Sequence, residues 1–155
     1  MRVGRGSHLD VSKILEVVTH SPEETLALGR ALARELQPPC LVLLEGELGS
    51  GKTTLTKGIV AGLGAAREEE VTSPSFTLVH EYGCEPKVYH VDLYRIESPR
   101  DLDTLGLDDL WSQQATVIVE WGEKLGDNSL VPRVRIQLEH LAGGDRRITA
   151  DRLGP

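Results

Sequence analysis

Gly46-Glu47-Leu48-Gly49-Ser50-Gly51-Lys52-Thr53 satisfies the pattern G-x-x-x-x-G-K-[ST], and each fixed residue type in it has a physical task. Glycines let consecutive backbone N–H groups turn inward around a phosphate, where a side chain would obstruct the cradle, and a following helix adds the positive end of its dipole. Lys52 is expected to reach the β- and γ-phosphates as a compact charge, and the Thr53 hydroxyl to take a magnesium coordination position. A chance glycine turn would lack the required context of an apolar strand before the loop and a helix after it. Both are present here, as Cys40 to Glu45 (CLVLLE) before the loop and as Leu55, Ile59 and Leu63 at four-residue spacing after it. The expected ligands are therefore a nucleoside triphosphate and Mg2+. No Asn-Lys-x-Asp segment that would read guanine occurs, which favours ATP over GTP.

A phosphate loop holds a nucleotide; hydrolysis also needs a carboxylate that places magnesium and a group that orients water. Glu120 ends the β-branched run TVIVE, and Asp92 follows Val88-Tyr89-His90-Val91. Strand ends beyond the loop are where such groups are delivered, so Lys52, Asp92 and Glu120 form the candidate catalytic set. Which of the two acids places the water is open at this stage, and an acid that merely caps or pairs at a strand end would leave the same pattern. His8, His20, His80, His90 and His140 lack the close pairing of a zinc site, and Cys40 and Cys84 stand far apart, so these residues read as structural or surface groups. Glu68-Glu69-Glu70 reads as a solvated turn. Trp121, next to Glu120, reads as core beside a buried strand.

The elements that must carry these groups follow from pattern. Ser21-Pro22-Glu23-Glu24 is a helix start with a cap, a proline at the first helical position and a capping-box glutamate. The helix runs to about Leu36, with Leu28, Leu32 and Leu36 on one stripe and Arg30 and Arg34 facing solvent. CLVLLE reads as a strand buried on both faces, and the helix after the loop ends at Leu63 with Gly64 as the left-handed residue beyond it. Residues 77–82 and 87–93 predict two strands of a hairpin. Ser98-Pro99-Arg100-Asp101 opens a helical interlude containing Leu102, Leu105 and Leu110. Alternation at Val134, Ile136 and Leu138, then at residues 147–150, predicts a closing hairpin. The fold class is α/β: one P-loop NTPase domain with a mixed parallel and antiparallel central sheet flanked by helices.

Residues 1–8 (MRVGRGSH) read as a flexible basic tail of the kind left by cloning, and residues 9–155 as the domain. The 155 residues suffice for one core. The longest apolar stretch, Cys40 to Leu44, is far short of the roughly 20 residues of a spanning helix, and no secretory signal precedes the domain, so the expected location is the cytoplasm. With 24 acidic against 17 basic side chains and a net charge of -7, strong direct binding to nucleic acid is disfavoured.

Four ordered segments then carry a resemblance: residues 46–54, Ser73-Pro74-Ser75-Phe76-Thr77-Leu78-Val79, His90-Val91-Asp92-Leu93-Tyr94-Arg95, and Glu120-Trp121-Gly122-Glu123. Together they resemble the TsaE (YjeE) family, over about residues 21–147. The resemblance implies the ATPase component of the bacterial machinery that makes threonylcarbamoyladenosine in tRNA, acting with TsaD and TsaB and meeting tRNA only through that complex. It implies that residues 49–54 contact ATP, that Thr53 and Glu120 serve magnesium, that Asp92 lies on the γ-phosphate side, and that residues 73–77 form a nucleotide-responsive loop. It further implies that residues 21–25 border the adenine and that Arg147 approaches the nucleotide. Ser75 departs from the family's usual threonine, keeping the hydroxyl and losing a methyl. Because no arginine sits in a finger motif, hydrolysis is expected to be slow alone and stimulated by the partners. A nucleotide-gated adaptor and, less favoured, a small-molecule kinase are the alternatives; the kinase would need an arginine-rich lid that the sequence lacks.

Overall fold

The computed structural model describes residues 11–47, 51–74, 78–111, 113–125 and 133–153. The expectations for residues 1–8, for Leu48, Gly49 and Ser50, and for Ser75, Phe76 and Thr77 lie outside the described residues.

Seven strands form one sheet: β1 (Val11–Thr19), β2 (Cys40–Glu45), β3 (Val79–Tyr82), β4 (Lys87–Asp92), β5 (Ala115–Glu120), β6 (Arg133–His140) and β7 (Arg146–Leu153), in the order β1-β7-β6-β2-β5-β4-β3. The centre is parallel, β2 lying between β6 and β5 with β4 beyond, while β3 on β4, β6 on β7 and β7 on β1 are antiparallel. This is the mixed sheet that the sequence predicts. The two hairpins fall where expected; β1 was not foreseen.

Alternation along the strands sorts two cores. Val42 and Leu44 of β2, Ile118 of β5, Val134 and Ile136 of β6 and Ile148 of β7 face α1 (Pro22–Leu32) and α2 (Lys52–Gly62), meeting Leu32, Leu55 and Ile59. Leu41 and Leu43, with Val91 and Val119, face the opposite way and pack with Leu93, Ile96 and Leu107, around α3 (Pro99–Asp103) and α4 (Leu107–Trp111). A central strand wholly buried on both sides needs an unbroken apolar run, and CLVLLE supplies it.

α1 starts where its composition demands. The Ser21 hydroxyl accepts from the Glu24 N–H at 3.1 Å, while the Glu24 carboxylate accepts at 2.7 Å from the N–H of His20, one residue before the cap, rather than from Ser21 as the expected capping box would have it. The chain continues through a 3-10 turn at Ala33–Leu36. Helices α1 and α2 approach through glycine: a Cβ on Gly29 would lie 2.5 Å from the Leu55 carbonyl oxygen, and one on Gly58 would lie 2.3 Å from that of Leu26. No other residue type permits that backbone contact, and it fixes where α2 begins relative to the sheet. The Glu68–Glu70 segment is a 3-10 turn, with Glu68 paired to Arg30.

Candidate nucleotide-binding site

The site gathers at the carboxyl ends of the parallel strands, where open α/β sheets hold ligands. Leu44 of β2 is in register with Glu120 of β5, and Glu120 with Asp92 of β4. Strand β2 ends at Glu45, and Gly51, at φ +103°, directly precedes Lys52, which opens α2. Helix α2 has no side-chain cap and no acid in its first turn, whereas α1 has Ser21, Glu23 and Glu24 and α3 has Ser98 and Asp101. Its first-turn N–H groups therefore present the positive end of the helix to an anion.

Lys52 is only 5% exposed. Its Nζ donates to the Gly46 carbonyl oxygen at 2.6 Å and sits 4.0 Å from the centre of the Trp121 ring. Burial lowers its pKa from 10.5, while the negative fields of Glu120, Glu123 and Asp92 pull the other way. Lys52 is thus a buried cation held by one carbonyl and an aromatic face in the fields of three acids, so a polyanion bound beside it would need a further cation. Thr53 and Thr54 follow in the first turn, both half-buried, and the Thr56 hydroxyl donates to the Lys52 carbonyl oxygen at 2.8 Å.

Asp92 and Glu120 are each 4% exposed and project from the sheet face that carries α2, on the same side as Val88 and Ile118. One Asp92 oxygen accepts from the Tyr94 N–H at 2.8 Å, and the other makes a long 3.5 Å contact with the Ser73 hydroxyl. Glu120 Oε2 lies 2.6 Å from His90 Nε2. Thus Lys52, Asp92 and Glu120 are brought near one another, with Thr53 next to Lys52 in the first turn of α2. The oxygen donors Thr53, Asp92 and Glu120 suit magnesium, which takes one or two carboxylates plus substrate phosphate oxygens rather than an all-protein cage. Among the described residues no group of three or more His, Cys, Asp or Glu is arranged as a metal cage.

Glu120-Trp121-Gly122-Glu123 is more than a strand end. Trp121 adopts φ +60°, a left-handed turn that is costly for a bulky residue, and this turns the indole over Lys52. Gly122 follows because a Cβ there would lie 2.9 Å from Leu43 Cβ. The Trp121 ring also meets Tyr94 at 5.2 Å, and Lys124 Nζ donates to the Tyr94 and Ile96 carbonyl oxygens at 2.8 and 2.9 Å, tying the loops after β4 and β5 together. Trp121 packs against the second core, as sequence reasoning favoured, and its ring also faces Lys52; its adjacency to Glu120 was the available signal for that second contact. His90, expected to be structural, touches a site carboxylate, and its spacing of two from Asp92 on a strand puts it on the same face.

Arginines in the last hairpin divide. Arg146 reaches Gly51: a Cβ on that glycine would be 3.6 Å from Arg146 Nε. Arg147, on the other face of β7, pairs with Glu139 at 3.0 Å and lines a cavity of about 300 Å³ with Glu45, Gly46, Gln137, Leu138, Glu139 and Thr149. In the 21–25 segment the hydroxyls of Ser21 and Thr25 are engaged internally, Thr25 with Thr19 at 2.7 Å, and His20 Nδ1 lies 3.1 Å from Asp145 Oδ1, joining this segment to the last hairpin.

The family model described as "Threonylcarbamoyl adenosine biosynthesis protein TsaE" matches residues 19–148, which include every part of this site. The chain belongs to the TsaE family. The TsaE protein of Bacillus subtilis (strain 168), named for tRNA threonylcarbamoyladenosine biosynthesis, is 38% identical over 144 residues, 92% of this chain and 88% of that protein. The TsaE protein of Treponema pallidum is 36% identical over 135 residues, 87% of this chain and 98% of that protein. Among solved structures, the crystal structure of YdiB from Bacillus subtilis superposes with a TM-score of 0.71 at 31% identity, covering 96% of this chain and 90% of that one. Among the described residues no helix is long and apolar enough to cross a membrane.

Proposed function

We propose that the chain is a magnesium-dependent ATPase acting in threonylcarbamoyladenosine modification of tRNA, and that it spends ATP to reset a complex of TsaD and TsaB. The observation that carries this reading is the convergence of Lys52, at an uncapped helix start, with the buried carboxylates of Asp92 and Glu120 at neighbouring strand ends. Bound magnesium would supply charge neutralisation on the phosphate oxygens, with Thr53 and Glu120 as its protein ligands. Residues 46–54 bind ATP chiefly through backbone N–H groups and the first turn of α2. Lys52 exchanges its Gly46 carbonyl partner for phosphate oxygens, and Trp121 shields that ion pair from water. Asp92, tethered through Tyr94 N and reaching Ser73, orients the water and relays the nucleotide state to residues 73–77. Arg147 remains a proposed contact through the cavity that it shares with Gly46. The cytoplasm, where tRNA is modified, is the proposed location.

The experiment measures ATP turnover by the protein alone and with the TsaB–TsaD pair, with Lys52→Ala as control. A slow Lys52-dependent rate that the pair accelerates is the expected result. Support of tRNA modification by a non-hydrolysable ATP analogue, as good as by ATP, would replace the reset reading with a nucleotide-gated adaptor.

A further inference from the structure

We infer that His90 is a positioning residue for Glu120: its Nε2–H grips one carboxylate oxygen so that the other is presented to the metal and phosphate side of the site. The inference rests on the proposed role of Glu120 toward magnesium.

His90 is fully buried on β4, and its Nε2 lies 2.6 Å from Glu120 Oε2. Its other ring nitrogen, Nδ1, is buried with no hydrogen-bond partner among the described residues. That asymmetry fixes the tautomer. A proton on Nδ1 would leave a buried donor unsatisfied and set two acceptors, Nε2 and the carboxylate, against each other at hydrogen-bond distance. A proton on Nε2 satisfies the only donor in a charge-assisted bond and leaves just a lone pair bare. The bond has a geometric consequence. The Glu120 backbone is held from both sides, by β2 and by β4, and its carbonyl oxygen accepts from the Leu93 N–H at 3.1 Å. The side chain nevertheless has three rotatable torsions that the sheet does not control. Holding Oε2 removes that freedom, and Oε1 is left for the ligand. A core-filling role explains burial at this position but not a polar ring with one nitrogen aimed at a site acid. Carboxylates and imidazoles that serve metals are characteristically oriented by such outer hydrogen bonds.

The test titrates Mg2+ into protein saturated with a non-hydrolysable ATP analogue, read by calorimetry rather than by turnover. The chains are wild type, His90→Leu, His90→Gln, His90→Asn, Glu120→Ala and the His90→Leu, Glu120→Ala double variant. His90→Leu is expected to weaken Mg2+ binding by about 10- to 100-fold. Gln, whose amide nitrogen reaches the ε position, restores most of the loss; Asn, one methylene shorter, does not. On the Glu120→Ala background the leucine adds no further loss, because His90 acts only through that carboxylate. If Glu120→Ala weakens Mg2+ binding and His90→Leu does not, the inference fails and the proposed function survives. If Glu120→Ala itself changes nothing, the metal assignment fails and takes the inference with it. Should the leucine variant not fold, equal Mg2+ affinity of the Gln and Asn variants overturns the inference. The ¹⁵N spectrum of the wild-type imidazole is a check free of variants: a proton on Nδ1 rather than Nε2 refutes it.

Discussion

Replacing Gly58 with alanine should open the joint between α1 and α2 and, through it, disturb the proposed phosphate site. The added Cβ would stand 2.3 Å from the Leu26 carbonyl oxygen and 3.1 Å from both the Leu26 carbonyl carbon and Gly29 Cα. All three are backbone atoms, so no rotamer can yield. The helices must part by about 1 Å to restore ordinary contact, and because only backbone atoms are met the cost falls in the upper part of the overpacking range, about 2–3 kcal/mol. Alanine's better helix propensity returns about 1 kcal/mol. A net loss of about 1–2 kcal/mol corresponds to a fall in Tm of about 2–8 °C for a chain of this size. Gly64→Ala is the informative companion. It meets nothing within 4 Å but sits at φ +82°, so it costs about 1–2 kcal/mol of left-handed strain without moving α2. Thermal melts followed by circular dichroism, paired with ATP titrations, separate the two causes. Both variants melt earlier, but only Gly58→Ala also weakens ATP binding, because α2 carries Lys52 and Thr53 in its first turn. A Gly58→Ala protein as stable as wild type, or more so, would refute the claim that the helices touch through their backbones.

Thr116→Val removes a buried hydroxyl that donates to the Leu36 carbonyl oxygen at 2.6 Å. The orphaned carbonyl should cost about 1–3 kcal/mol, read as a lower denaturant midpoint with an unchanged m-value. Arg146→Ala should weaken ATP binding more than Arg147→Ala, since Arg146 lies against Gly51 and Arg147 is paired to Glu139 on the opposite face; fluorescence titration of both variants decides the order. Burial pushes the Cys40 thiol up from 9.0 to about 11, whereas Cys84 is exposed. The folded chain thus retains a proton that the unfolded chain releases near pH 9. This contribution to stability is complete below pH 9 and fades as the pH rises through about 11. A thiolate-selective reagent at pH 8 should accordingly modify one cysteine of the native protein and both after denaturation.

The strand before the glycine loop, the helix after it and the place of both acids at strand ends were legible because each depends on local signals: an apolar run, a four-residue spacing and a carboxylate ending a strand. The closing hairpin was legible from alternation at Val134, Ile136 and Leu138. β1 escaped because its alternation is blurred: Ile14 and Leu15 are adjacent, and the register with β7 shifts between Lys13 and Leu15. A bulge turns a period of two into an irregular pattern. Trp121 and His90 escaped for another reason. Their roles depend on residues that only the fold brings near, Lys52 from a different element in one case and Glu120, thirty positions away, in the other. Nothing within one strand can reveal which neighbour a buried ring will face.

Pairing of Thr19 with Arg146 and of Val11 with Leu153 makes β1 and β7 partners across almost the whole chain. On a ribosome, β1 emerges long before β7, its partner in the sheet among the described residues, exists. At about 5–20 residues per second the wait is on the order of 6–25 s. Throughout it, Ile14, Leu15 and Val17, which later pack against the α1–α2 core, stay in water on an unpaired strand. The centre of the sheet meets a similar delay, since β6 and β5 flank β2 and both are made after it. The proposed nucleotide site is thus coded early, in β2 and α2, but acquires Glu120 and Trp121 only as the last third of the chain is synthesised. A nascent chain stalled before residue 115 would carry the phosphate loop without Glu120, Trp121 or either neighbour of its strand.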